Sequence, residues 1–200
     1  MDRENYPRVT DIIGKQTIED MRAIPIDVLA NAAIRGSKVH EYCTAWLNSH
    51  WIPEIDPEYE PWFNAFTQWA SENIVECLHS GDRLYDDVKR FTGEFDFIAK
   101  TKDGFTVLFD IKTSSVKSKS WPVQLAAYKH LCELNGYQFD KICNIHLKKS
   151  YKKPTGSDSH SFPVVVVDAL VYDYEDVTQY WNIFASALTC YGYFHHKEKL

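Results

Sequence analysis

Asp110 and Lys112 stand two residues apart in Phe109-Asp110-Ile111-Lys112, where an acid and a cation alternate with two apolar residues. In an extended strand, that spacing puts both charged groups on one face and Phe109 and Ile111 on the other. A solvent-facing ion pair has the same pattern, so the pair alone does not define a site. Asp96 adds a third group, because the segments 92–100 and 105–113 are joined by Lys102-Asp103-Gly104, a turn that folds them into a hairpin. Two carboxylates brought together repel as anions, and a hard divalent cation relieves the repulsion by taking their oxygens as ligands. Magnesium is the expected ion, with manganese as a substitute and the Ile111 carbonyl as a further oxygen ligand. For Asp96 a polar surface hairpin is the competing account.

Three more side chains could join this chemistry. His40 falls near the Val39 and Cys43 face of a long helical segment, where its imidazole could bind the metal or a metal-bound water, or could be a satisfied, partly buried histidine. Gln124 and Tyr128 are four apart in a helical segment and share a face. Gln124 could orient Lys112 or meet a phosphate and Tyr128 could meet a sugar or phosphate; both could instead cap local polar structure.

These groups need elements to hold them. Residues 1–25 are polar and irregular, with Val9, Ile12 and Ile13 as a short anchor and Gly14 interrupting any longer helix. Apolar residues from Ile26 to Leu47 recur at helical spacing and predict a helix to about residue 48. A second helix begins near Pro61 and is expected to carry Phe63, Phe66, Ala70, Ile74 and Cys77 inward. Strands are predicted at 83–90, 92–100, 105–113, 142–147 and 163–167, and helices at 121–135 and 174–191. The stretch 148–161 is rich in Lys, Ser, Gly and Pro and is expected to be a mobile loop. The order implies one mixed α/β domain over 26–200 behind an anchoring segment at 1–25. No phosphate-binding loop, dinucleotide glycine pattern or repeat is present.

Composition limits the function classes. A hydrophobic fraction of 44% supplies a core for a chain of 200 residues, while a formal charge of −6 excludes unselective attraction to nucleic acid. DNA contact must therefore be local. Lys112, Lys117 and Lys119 form one basic group; Lys148, Lys149, Lys152 and Lys153 form a second, either a DNA clamp or a solvated loop. Five scattered cysteines without a CxxC pair read as small buried hydrophobes in a reducing compartment. No leader or membrane-length apolar run is seen, so an intracellular, cytoplasmic protein without a membrane partner is expected.

Gly36-Ser37-Lys38-Val39-His40, Gly93-Glu94-Phe95-Asp96, Asp110-Ile111-Lys112 and Gln124-Leu125-Ala126-Ala127-Tyr128 together resemble the GxxxH, GxxD, (D/E)xK and QxxxY motifs of RecB-like PD-(D/E)XK nucleases. The opening Tyr6-Pro7-Arg8-Val9-Thr10-Asp11-Ile12-Ile13 resembles the segment preceding the helices in phage and mitochondrial single-strand exonucleases of that superfamily, with Arg8 where those have serine. The resemblance implies a restriction-endonuclease-like core, a curved mixed sheet flanked by helices, and metal-dependent phosphodiester cleavage. It implies His40, Asp96 and Asp110 as metal ligands, Lys112 as the catalytic lysine, and Gln124 with Tyr128 as support facing the substrate. The cysteine set of iron–sulfur relatives is absent, so no such cluster is expected, and no helicase motor accompanies the nuclease segment. The expectation is a stand-alone exonuclease in phage or mobile-element DNA replication or recombination, acting on single strands or free ends, with a replication or recombination protein as a further partner. If phage-encoded, it would act in the host cytoplasm. A structure-selective endonuclease and a noncatalytic DNA-end-binding protein are the alternatives.

Overall fold

The computed structural model describes residues 3–15, 24–52, 54–152 and 164–195, with backbone alone at Lys15, Lys152 and Val164. The segment near the N-terminus forms α1, Val9–Lys15, whose Val9 and Ile12 are fully buried. Gly14 lies inside that short helix rather than ending it.

Helix α2, Ile26–Leu47, follows Pro25 and buries only Val39, Tyr42 and Cys43, all in its second half. Its first half leaves Ile26, Val28 and Ile34 exposed. Helix α3, Glu60–Asn73, has Pro61 in its first turn, where a missing amide hydrogen costs no helical bond. The helix does not continue to Cys77 as expected. Ile74 turns extended (φ −99°, ψ 139°), and Ile74–Ser80 form β1, antiparallel to β4. Helical spacing favours continuation there, but pairing along a whole strand supplies backbone partners that outweigh a local preference.

Five strands form one sheet in the order β1-β4-β5-β6-β7, with β4 at Phe97–Thr101, β5 at Thr106–Lys112, β6 at Lys141–Lys152 and β7 at Val164–Asp173. Only β5 and β6 are parallel, so the sheet is mixed. Parallel neighbours need a long crossover, and α4, Ser120–Leu134, supplies it. A separate hairpin, β2 (Arg83–Asp86) with β3 (Phe91–Glu94), precedes β4. Helix α5, Thr178–His195, closes the chain four residues later than the periodicity suggests at each end.

Helices cover both faces of this sheet. Phe97, Phe109, Ile111, Ile145 and Leu147 pack with α2 and α3 in one apolar cluster. Ile98, Leu108 and Ile142 pack with α1, α4 and α5 in the other. Alternation along β5 therefore places Asp110 and Lys112 on the α4 side, as their spacing predicts.

Three further expectations change. The strand at 83–90 stops at Asp86, whose carboxylate accepts the Val88 and Lys89 amides and folds the chain into a turn. The strand at 92–100 is broken at Phe95 and Asp96, which leave β3 before β4 begins. The basic stretch is not a loop through Lys152, because β6 continues that far against β7. Lys153 and residues 154–161 lie outside the described residues.

Candidate active site

Asp96 sits where β3 gives way to β4, beside the end of β5. Its Oδ2 accepts the Ile111 amide at 2.5 Å, and its Oδ1 lies 3.0 Å from His40 Nδ1. In an extended strand the amide and carbonyl of one residue leave on the same side. The Ile111 carbonyl therefore faces the Asp96 side, past the end of β4, whereas the Asp110 carbonyl faces β6, with Asn144 Nδ2 3.4 Å away. His40 reaches this point from the buried half of α2 with its side chain about one-third exposed (32%).

Asp110 is 1% exposed and sits in the middle of a polar row. Its Oδ2 lies 2.8 Å from Lys112 Nζ and accepts Asn144 Nδ2 at 2.6 Å. Lys112 Nζ donates to Gln124 Oε1 at 2.8 Å, and Gln124 Nε2 donates to Tyr128 Oη at 2.8 Å. The four-residue spacing on α4 thus holds the lysine through a relay of side chains. Gln124 and Tyr128 do not serve as local caps.

The electrostatics follow from burial. Asp110 is pushed up to about 6, chiefly by burial; Lys112 opposes the shift and the negative charge of Asp96 adds to it. Burial also acts against ionisation of Asp96, but His40, Lys112 and the Ile111 amide outweigh it and lower its pKa. Burial disfavours the charged form of His40, yet the facing Asp96 and Asp110 carboxylates raise its pKa. Tyr128 is raised by burial and by Asp110, so the phenol stays protonated and serves as a neutral partner.

These groups line one cleft of about 450 Å³ together with Arg8, Arg35, Arg83, Thr113, Ser114 and Trp121. Arg83 is paired with Glu94 at 2.7 Å. Arg35 donates to the Thr113 carbonyl at 3.3 Å. The arginines come from the residue before α1, from α2 and from β2, far apart in sequence, so no charge run announced them. Asn144 was also missed, although a signal existed: it and His146 are the polar residues in the apolar run 142–147. Their alternation puts both on the α4 face, and both are buried.

Among the described residues, no group of three His, Cys, Asp or Glu side chains meets metal-site criteria. The donor chemistry nonetheless fits a hard cation. Two carboxylates, one of which makes ionisation of the other harder, stand with an imidazole and a main-chain carbonyl in one cleft. Their oxygens are here engaged by Lys112, Asn144, His40 and the Ile111 amide.

The remaining predicted contacts are dispersed. Lys148 is exposed on the face of β6 shared with Asn144 and His146, whereas Lys149 is exposed on the opposite, α3 face. Lys152 ends β6, and Lys153 lies beyond the described residues. Lys148 and Lys149 do not lie in a solvated loop, because pairing with β7 makes this stretch a strand that sends their side chains to two faces. Four described cysteines are wholly or partly buried, Cys190 is exposed, and none of these five is in a disulfide. No helix among the described residues is long and apolar enough to cross a membrane.

No family model matches this chain, and no curated protein matches it. One solved structure, that of SSO0001, aligns with 77% of this chain and 85% of its own length at 12% identity, with a TM-score of 0.26. A likeness at that level carries no argument about fold or function.

Proposed function

We propose that this chain is a magnesium-dependent deoxyribonuclease with a RecB-like PD-(D/E)XK centre on a restriction-endonuclease-like core, acting as an exonuclease. The observation that carries the reading is convergence. Residues from four motif-like segments spanning positions 36–128 line a single cleft, and Lys112 is held between Asp110 and Gln124. A surface ion pair or a local cap would not need that assembly. The mixed five-stranded sheet with helices on both faces suits the proposed core.

Asp96, Asp110, His40 and the Ile111 carbonyl would hold magnesium, which supplies charge at a scissile phosphate and an activated water. The protein side of the chemistry is preorganisation. Gln124 fixes the Lys112 ammonium, so its charge is in place for the negative charge that develops on the phosphate. Tyr128 fixes Gln124 in turn. Asn144, its register partner on the neighbouring strand β6, holds Asp110 Oδ2. Arg8 and Arg35 line the cleft wall, and there they would meet the backbone of a nucleic acid and offset the acidic net charge locally.

The test compares wild type with Lys112→Gln on end-labelled single-stranded, end-labelled duplex and closed-circular DNA, with magnesium, manganese or chelator. Wild type should shorten linear DNA only with metal and spare the circle, while K112Q binds DNA with turnover lowered at least about 100-fold. Cutting of the circle would move the assignment to an endonuclease. A folded wild type that cleaves none of these substrates would overturn the enzyme reading in favour of DNA-end binding.

A further inference from the structure

Arg35 and Lys149 lie on different elements yet share one ring. The Arg35 guanidinium sits 5.3 Å from the Trp62 centroid, and Lys149 Nζ sits 5.4 Å from it. Trp62 is 4% exposed, near the start of α3, so the indole is a buried, fixed ring that both cations approach. Neither cation has a carboxylate partner among the described residues, in a chain of net charge −6. Arg35 Nε is buried with no partner at all. Leaving a buried guanidinium donor unsatisfied is costly, so an anionic ligand that reaches it gains more than it would at a solvated lysine.

The ridge has a direction. Arg35 belongs to the cleft wall and binds the carbonyl of Thr113, one residue past Lys112. Lys149 and Tyr151 follow on the α3 face of β6, two residues apart, with Lys149 Nζ 5.5 Å from the Tyr151 ring. Tyr151 is 66% exposed, a large ring left in water beside a cation. Charge, a flat ring and continuity with the cleft thus run in sequence from Thr113 over the end of β5.

We propose that Arg35, Lys149 and Tyr151 form an exit track for a single strand of nucleic acid, which crosses the end of β5 from the cleft to the α3 face. The cations take successive phosphates, and Tyr151 stacks on an unpaired base. A duplex keeps its bases stacked inside and cannot offer one to Tyr151, so the track selects single strands. The inference rests on the nuclease reading for what enters the cleft, but its test needs binding alone.

Fluorescence anisotropy with a labelled oligothymidylate, in chelator and over a range of salt, reads the track directly. Lys149→Gln and Arg35→Gln should each weaken binding at low salt and reduce the slope of log affinity against log salt by about 0.7. Arg35→Lys should keep that slope. Tyr151→Ala should weaken binding at least about fivefold with little change in slope. Lys141→Gln is the matched control, because Lys141 also lies over a ring, Phe105 at 3.5 Å, at the opposite end of β6. Lys149 and Tyr151 are exposed, so their replacement leaves the core intact. Wild-type affinity in both K149Q and Y151A, an equal loss in K141Q, or equal binding of a blunt duplex would overturn the track. A wild type that cleaves while K149Q and Y151A bind normally removes the track alone. A wild type that binds with the expected pattern but cleaves nothing removes only the nuclease reading.

Discussion

Replacing Gly93 with Ala should disturb Lys112 without touching it. A Cβ at position 93 would lie 2.9 Å from both Leu131 Cδ1 and Tyr128 Cε1, and 3.1 Å from Tyr128 Cδ1. Ordinary carbon contacts begin near 3.5 Å, so both neighbours must give by more than half an ångström. They have little room, because Leu131 is 1% and Tyr128 5% exposed, and Tyr128 is tied to Gln124. Overpacking a dense core costs about 1–3 kcal/mol, and in a domain of this size each kcal/mol moves Tm by roughly 2–4 °C. A midrange cost of about 2 kcal/mol therefore lowers Tm by roughly 4–8 °C. Any ring movement passes through Gln124 to the ammonium of Lys112, so turnover should fall further than stability alone explains. Gly36→Ala is the internal contrast: its Cβ meets only Thr113 Oγ1, at 3.7 Å, and should be tolerated. Urea and thermal unfolding, with metal-dependent digestion below the melting range, measure both effects. A G93A protein with wild-type Tm and turnover would refute the packing relay, as would an equal loss in G36A.

Asn144→Leu should preserve the fold, since the Asn144 Oδ1 is already without a partner, while raising the magnesium requirement or lowering turnover by about 10–100-fold through loss of the Asp110 anchor; an unchanged magnesium titration would exclude that positioning role. Asp86 has its pKa lowered: burial opposes ionisation, but the Lys89 and Val88 amides and His130 outweigh it. A depressed acid pKa contributes stability that is present above the unfolded value near 3.9 and is lost as pH falls through the folded value. Asp86→Asn should therefore cost about 1–3 kcal/mol at pH 7, with the gap from wild type closing in acid, and a gap constant from pH 7 to pH 2.5 would reject the linkage. Magnesium at ten times its dissociation constant should stabilise wild type by about 1.4 kcal/mol but leave Asp96→Asn and Asp110→Asn nearly unmoved; equal melting shifts in all three would separate magnesium binding from these carboxylates.

Period and chemistry made much of this site legible in the sequence. A spacing of two in a strand must put Asp110 and Lys112 on one face, and a spacing of four in a helix must put Gln124 beside Tyr128, whatever else the chain does. The short turn after Lys100 likewise required β4 and β5 to pair. Tertiary structure decided where local preference and long-range pairing disagree. Helical periodicity runs through Ile74 and Cys77, but β4 offers those residues a strand partner, and the chain changes state at Asn73. The composition of 148–152 is that of a loop, yet β7 captures it, and the alternation of the resulting strand sends Lys148 and Lys149 to opposite faces. The contributions of Arg8, Arg35 and Arg83 could not be read from spacing, because each reaches the cleft from a different part of the chain. Local periodicity sets which side chains share a face; only the packing of elements decides which faces meet.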